Sequence, residues 1–261
     1  MKNSIIVIGM GELGSVFARG FLKLGYPVQA ITREMSVNDI ATKTPNPTAV
    51  LIAVGEADIH QVMQSIPTVW QNNVILIQNE LLPKDWENTK LIDPTVISVW
   101  FEKKKGMDSK VVIPSPVFGK HSQLICDGLA SLDLPTTQLN SADQLKYELV
   151  RKNCYILTSN IAGLEVGGNV TELVENNNQI MLEVVNNILD IQDYLTDTKN
   201  DRQKLINGML EAFEGDPKHK CMGRSAPARL KRALEIAKQA NLTVNKLNAI
   251  ANKYLIETPT N

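Results

Sequence analysis

The chain has 261 residues, a formal net charge of -1 and only 5% aromatic residues. It is long enough for a full core and two domains, and neither its balanced charge nor its scarce rings suit a nucleic-acid surface. Its three cysteines, Cys126, Cys154 and Cys221, are odd in number and far apart, which argues against a disulfide framework or a zinc site and fits a reducing compartment. No uncharged apolar run approaches the ~18–20 residues needed to span a bilayer. The apolar N-terminus is short, contains glycines and meets Glu12 where a signal peptide would need a cleavage site. The expectation is a soluble cytoplasmic protein without nucleic-acid or membrane partners and without a bound metal.

The first element is residues 4–8, a serine followed by four apolar β-branched side chains, running into Gly9-Met10-Gly11-Glu12-Leu13-Gly14. This is G-x-G-x-x-G between a buried strand and a helix. Gly9 permits the tight turn, Gly11 lets a pyrophosphate approach the backbone, and Gly14 lets helix and strand pack closely. The helix N-terminus offers N–H groups and partial positive charge to phosphates. Val16, Phe17, Gly20, Phe21 and Leu24 keep the helical spacing and Gly25 ends it. A second strand, 28–32, ends at Arg33, placed to accommodate the 2′-phosphate of NADP, with Glu34 beside it as an alternative holder of ribose hydroxyls.

Ser36 is a candidate cap for a helix over 37–42. A strand over 49–54, a helix over 58–65 and a strand over 73–77 follow, the last ending in Gln78-Asn79. Strands and helices alternating at this spacing indicate parallel βαβ units, whose ligands lie beyond the carboxyl ends of the strands. Asn79 sits there with donors and an acceptor for a ribose or a ketone, though ordinary turn chemistry explains it equally well. Strands over 95–101 and 110–114 flank a lysine run, Lys103 to Lys105, read as a solvated hairpin tip. Pro114 and Pro116 are read as ending that pair. A helix over 120–132 and an edge strand over 136–139 complete this half.

From Asn140 or Ser141, either of which could cap a helix to about Leu164, the periodicity stays helical over 170–195, 201–213, 226–240 and 244–255. Asn176-Asn177-Asn178 reads as a solvated helix face. The fold class is therefore α/β, a Rossmann-type doubly wound parallel sheet followed by an all-helical C-terminal domain. The division is a dinucleotide-binding domain over 1–140 and a helical substrate or dimerisation domain over 141–261. On the first long helix Lys152, Ile156 and Asn160 are spaced i, i+4, i+8 and share a broad face, with Asn153 adjacent. A lysine flanked by asparagines can polarise a carbonyl and hold a polar substrate, although a solvent-facing lysine is the commoner arrangement.

Together these residues resemble the ketopantoate reductase family over nearly the whole chain. Gly9 to Gly14 match its nucleotide loop, and Arg33 its NADP-selecting arginine. Gln78-Asn79-Glu80-Leu81 is similar to its Q-N-G-[LMV] segment, with Glu80 for the glycine. Lys152 falls on its catalytic lysine and Asn160 on the second asparagine of K-x-x-x-N-x-x-x-N, while Thr171-Glu172-Leu173 falls on its G-E-L and Thr243-Val244-Asn245 on its T-P-x-N turn. There are departures. Ile156 replaces the first asparagine, and Glu56-Ala57 stands for Lys-Ala. Lys220-Cys221-Met222 stands for S-S-M, and Ser225 lies near the place of an assisting glutamate, with no carboxylate between Met222 and Glu235. A basic cluster surrounds it: Lys218, His219, Lys220, Arg224, Arg229, Lys231 and Arg232. The resemblance implies an NADP-dependent reductase of a small 2-keto acid. Lys152 and Asn79 would be catalytic, with Asn79 also at the cofactor. Asn153, Asn160, Arg224 and Ser225 would lie at the substrate, and a homodimer is an open option. Two rival readings are a dinucleotide-binding sensor or interaction protein with reduced catalysis, and a dehydrogenase of the β-hydroxyacid or 6-phosphogluconate type.

Overall fold

The structure, a computed structural model, describes residues 2–77 and 79–255, so Gln78 of the Gln78-Asn79 motif lies outside the described residues. Its contacts divide the chain into two units, Met1–Leu149 and Val150–Asn261.

The first unit is built from β1 (Ile5–Ile8), α1 (Glu12–Lys23), β2 (Val28–Ile31), α2 (Val37–Lys43), β3 (Ala49–Ile52), α3 (Ile59–Ser65), β4 (Val74–Leu76), α4 (Pro83–Glu87), β5 (Thr95–Ile97), β6 (Phe101–Glu102), β7 (Lys110–Val111), β8 (Ser115–Phe118), α5 (Ser122–Ala130) and β9 (Thr136–Gln138). One sheet has the order β2-β1-β3-β4-β5-β8-β9, and β6 pairs with β7 separately. The strands β1 to β5 are mutually parallel; β8 joins β5 antiparallel and β9 runs parallel to β8. Every residue of β1 and β3 is buried, as expected of strands covered by helices on both faces. Helix α1 packs on α5 at close range: a Cβ on Gly20 would stand 2.6 Å from the Gly128 carbonyl oxygen. Ser36 caps α2 as expected, its Oγ accepting from the Asp39 N–H at 3.2 Å.

Two expectations here are corrected. Residues 95–101 are two strands, β5 and β6, and Pro116 lies inside a strand. Pro116 still accepts a ladder bond through its carbonyl, from Ser98 N at 2.9 Å, while its neighbour Ser115 donates to Pro135 O at 3.0 Å. The ring removes one donor and leaves the acceptors on which β8 relies.

Helix α6 (Ala142–Val166) starts after Ser141, whose Oγ accepts from Gln144 N at 3.2 Å, and the division between units falls within it. The second unit continues with α7 (Val170–Asn176), α8 (Asn178–Thr196), α9 (Arg202–Gly215), α10 (Ala226–Gln239) and α11 (Asn245–Tyr254). The expected single helix over 170–195 is broken at Asn177. That residue leaves helical geometry, at φ -132 and ψ 30, and its side-chain amide donates to Glu172 O at 3.3 Å. The three asparagines are thus a helix break, because a short amide side chain competes for backbone partners. A loop after α9 is laced to the α6–α7 corner: Val170 N donates to His219 O at 2.9 Å and Cys221 N to Gly168 O at 3.1 Å. A Cβ on Gly163 would come within 2.5 Å of the Cys221 carbonyl carbon, so α6 needs a glycine there.

In the first unit His121 is 9% exposed and its Nε2 has no hydrogen-bond partner. Burial, and secondarily the charge of Lys120, push its pKa down to about 4. The unfolded chain takes up this proton near pH 6.5 while the folded chain does so only near 4, so the neutral imidazole's contribution is lost as pH falls through that window. Urea denaturation across pH 7 to 4 should therefore show wild type losing stability relative to His121→Asn below about pH 6.5. A pH-independent difference between the two proteins would contradict this.

Candidate functional site

The strand order turns back between β1 and β3, which places a crevice beyond their carboxyl ends. Gly9 fills that point with a left-handed φ of 94, and a Cβ on it would sit 2.6 Å from Ala53 O. A Cβ on Gly14 would collide with Gly9 O. Both positions are glycine because of protein backbone. Gly11 is different. Its φ of -70 and ψ of -169 suit any residue, and a Cβ there would meet no atom within 4 Å. Neither conformation nor packing asks for glycine at 11, whereas a phosphate lying against the backbone does. Gly11 also caps α1 without a side-chain bond, leaving the N–H groups of the first turn to a ligand. Of the other loop residues, Met10 and Glu12 are exposed and Leu13 is half-buried, packed on the core.

These residues open into a cleft of about 660 Å³, whose walls include Gly11, Thr32, Arg33, Val54, Gly55 and Asp58. The volume falls within the range of small-molecule pockets. Arg33 stands at its edge with a side chain 90% exposed, and its Nη2 lies 2.9 Å from Asp58 Oδ2. Lys104 and Lys105 of the hairpin tip are exposed as expected. Lys103 is not: its side chain is 19% exposed, donates to the carbonyls of Lys104 and Met107, and lies 3.9 Å from Glu12 Oε2. Asn79 is half-buried in the turn after β4, at the same sheet edge as the glycine loop because β4 is parallel to β3. The next residue, Glu80, has φ 64. That left-handed angle explains why glycine suits the position in the Q-N-G pattern, and a glutamate there costs about 1–2 kcal/mol.

In the second unit Lys152 is half-buried and Asn160 is 6% exposed. Asn160 Oδ1 accepts from Arg229 Nη1 at 3.0 Å, and Gly223 is close enough that a Cβ on it would lie 3.4 Å from that oxygen. The start of α10 therefore meets the C-terminal third of α6 through an asparagine and an arginine. Arg224 and Ser225 are exposed at that start, and Ser225 stands at the N-cap position without a side-chain cap bond. Asn153 corrects the sequence reading: it is a core amide, 2% exposed, donating to Gln192 Oε1 at 2.9 Å, and so is not placed to face a substrate. The stagger around α6 that separates it from Ile156 turns it onto α8. Glu172 has a structural role, accepting from Asn169 N at 3.1 Å in a capping box.

All three cysteines are free, and burial pushes the Cys154 thiol up to about 12 and Cys221 to about 11, which leaves neither of these two poised as a nucleophile. Among the described residues no group of three or more His, Cys, Asp or Glu could hold a metal, and no helix is long and apolar enough to cross a membrane. Sequence reasoning missed Asp58 and the pairing of Arg229 with Asn160. The signal for Asp58 was topological, since the ends of β2 and β3 flank the same crevice.

Gly11→Ala should cost at most about 1 kcal/mol of stability, whereas Gly14→Ala should cost several. If a phosphate lies against Gly11, affinity for a dinucleotide should nevertheless fall by roughly tenfold or more in Gly11→Ala, equivalent to about 1.4 kcal/mol. Thermal unfolding and fluorescence titration of both variants check this, and undiminished affinity in Gly11→Ala would remove the phosphate from that position.

No family model and no curated protein sequence matches the chain. Solved structures do. A PanE/ApbA family ketopantoate reductase from Ralstonia eutropha superposes with a TM-score of 0.66 at 12% identity, over 97% of each chain. D-mandelate dehydrogenase in complex with NADH gives 0.67 at 13% identity, also over 97% of each chain. A dimeric ketopantoate reductase from Staphylococcus aureus gives 0.61 at 16% identity with the same coverage. The chain thus has, along nearly its whole length, the two-part fold of solved ketopantoate reductases and of D-mandelate dehydrogenase: a mostly parallel sheet of Rossmann type followed by helices.

Proposed function

We propose that this protein is a reductase of small 2-keto acids that uses NADP(H). The observation that carries the reading is Gly11, a glycine required by neither conformation nor packing at the mouth of a cleft beyond β1 and β3. The likeness to ketopantoate reductases and D-mandelate dehydrogenase supports the reaction class. In this reading the loop from Gly9 to Gly14 and the N-terminus of α1 hold the pyrophosphate, Arg33 meets the 2′-phosphate, and Asn79 serves the ribose and the keto group. The bound dinucleotide supplies a hydride to the keto carbon. Lys152 gives a proton to the carbonyl oxygen, or holds the developing alkoxide by its charge. Asn160, held by Arg229, orients the substrate. Arg224 and Ser225, beside an uncapped helix start, suit its carboxylate. Ile156 in place of an amide favours a substrate smaller or more apolar than ketopantoate. A cytoplasmic location and a homodimer belong to the same reading.

The sensor reading keeps its place because no carboxylate lies between Met222 and Glu235 to assist Lys152. NADPH consumption with a panel of 2-keto acids separates the two. Lys152→Ala should abolish turnover and leave NADPH affinity within a few-fold. NADPH binding by wild type with no turnover of any keto acid would favour the sensor.

Arg33→Ala should weaken NADPH binding by about 1–3 kcal/mol and leave NADH little changed, as expected for one lost charge-assisted bond. Titration calorimetry showing equal affinity of wild type for both cofactors would refute the choice of NADP(H).

A further inference from the structure

We propose that Asp58 sets the cofactor preference by competing with the 2′-phosphate for Arg33, an inference that rests on the dinucleotide reading of the cleft. Asp58 occupies the N-cap position of α3, where an aspartate normally accepts an N–H of the first turn, yet its side chain makes no cap bond. Its carboxylate reaches the other way, to Arg33 Nη2 at 2.9 Å, and both residues border the cleft. The guanidinium at the end of β2 is thus already neutralised, and Glu34 adds a second negative charge next to it. NADP(H) must take Arg33 from Asp58 and place a dianionic phosphate beside the released carboxylate. NAD(H), with a neutral ribose diol, leaves the pair intact. The pair is exposed enough to break, with side chains 90% and 42% accessible, so Asp58 lowers the affinity for the phosphate without excluding it. The cleft therefore discriminates between the two cofactors less sharply than an unpaired arginine would.

The test is Asp58→Asn, which keeps size and removes charge. Because Asp58 makes no cap bond, thermal unfolding should match wild type and serve as the control for folding. By titration calorimetry at low salt, NADPH affinity should rise about two- to fivefold and NADH affinity should stay within about twofold, as expected for releasing Arg33 from one exposed ion pair. The gain should shrink when the same substitution is made in Arg33→Ala. Unchanged NADPH affinity, an equal gain for NADH, or a gain undiminished without Arg33 would overturn the proposal. Weakened NADH binding with NADPH unchanged would also overturn it, assigning Asp58 to the ribose hydroxyls. If wild type binds neither dinucleotide, the reading of the cleft fails and this inference with it. If wild type binds NADPH and Asp58→Asn does not improve it, only the inference fails.

Discussion

The N-terminal half depends on one close backbone approach. Gly9 and Gly14 touch each other and the chain at Ala53 so tightly that a single methyl at either glycine has nowhere to go. This contact fixes where α1 begins relative to β1 and β3, and hence where its N–H groups point. It also separates two kinds of glycine that a motif treats alike. Two are demanded by the fold, and the third, Gly11, has open space where a side chain would go. The cleft, Arg33 and Asp58 are arranged around that opening.

Much of this half was legible because its signals are local. Apolar runs of four or five residues, punctuated by Gly and Pro, identified β1 to β4 and their helices, and Ser36 capped the helix it was expected to cap. Errors came where a local rule competed with a partner that spacing does not reveal. Pro116 reads as a terminator, but the partners on either side of β8 use its carbonyl and its neighbour's N–H. Asn177 reads as one more polar helix residue, but it breaks the helix by taking a backbone partner for its own side chain. Lys103 reads as part of a charged tip, and the fold of the hairpin turns it toward Glu12. None of these can be found from spacing alone, because the deciding partner is supplied by a distant segment or by the turn itself.

The helical half was legible as helices and less so as a site. Helix α6 carries a polar row at the spacing expected, but helical spacing does not say which amide meets a neighbour's core. Asn153 found Gln192 on α8, and Asn160 found Arg229 on α10. The first pairing is internal cement, and the second links a buried amide to a cationic helix start. The loop holding His219 and Cys221 adds a constraint of its own. It lies so close to Gly163 that the last turn of α6 cannot carry a side chain there without displacing the loop that leads into α10.

The position of β1 between β2 and β3 also has a consequence for how the chain acquires its shape during synthesis. β1 emerges before both of its neighbours, and one of them, β3, follows only after two helices and another strand. Until β3 is paired, Ala53 is not there to press on Gly9, and the turn into α1 lacks the wall that defines it. The glycine loop, which precedes all of these elements but β1, is therefore completed late. Parallel pairing requires such a delay, since loop closure must precede the contacts that reward it. A nascent chain stalled before β3 would carry the motif without its geometry.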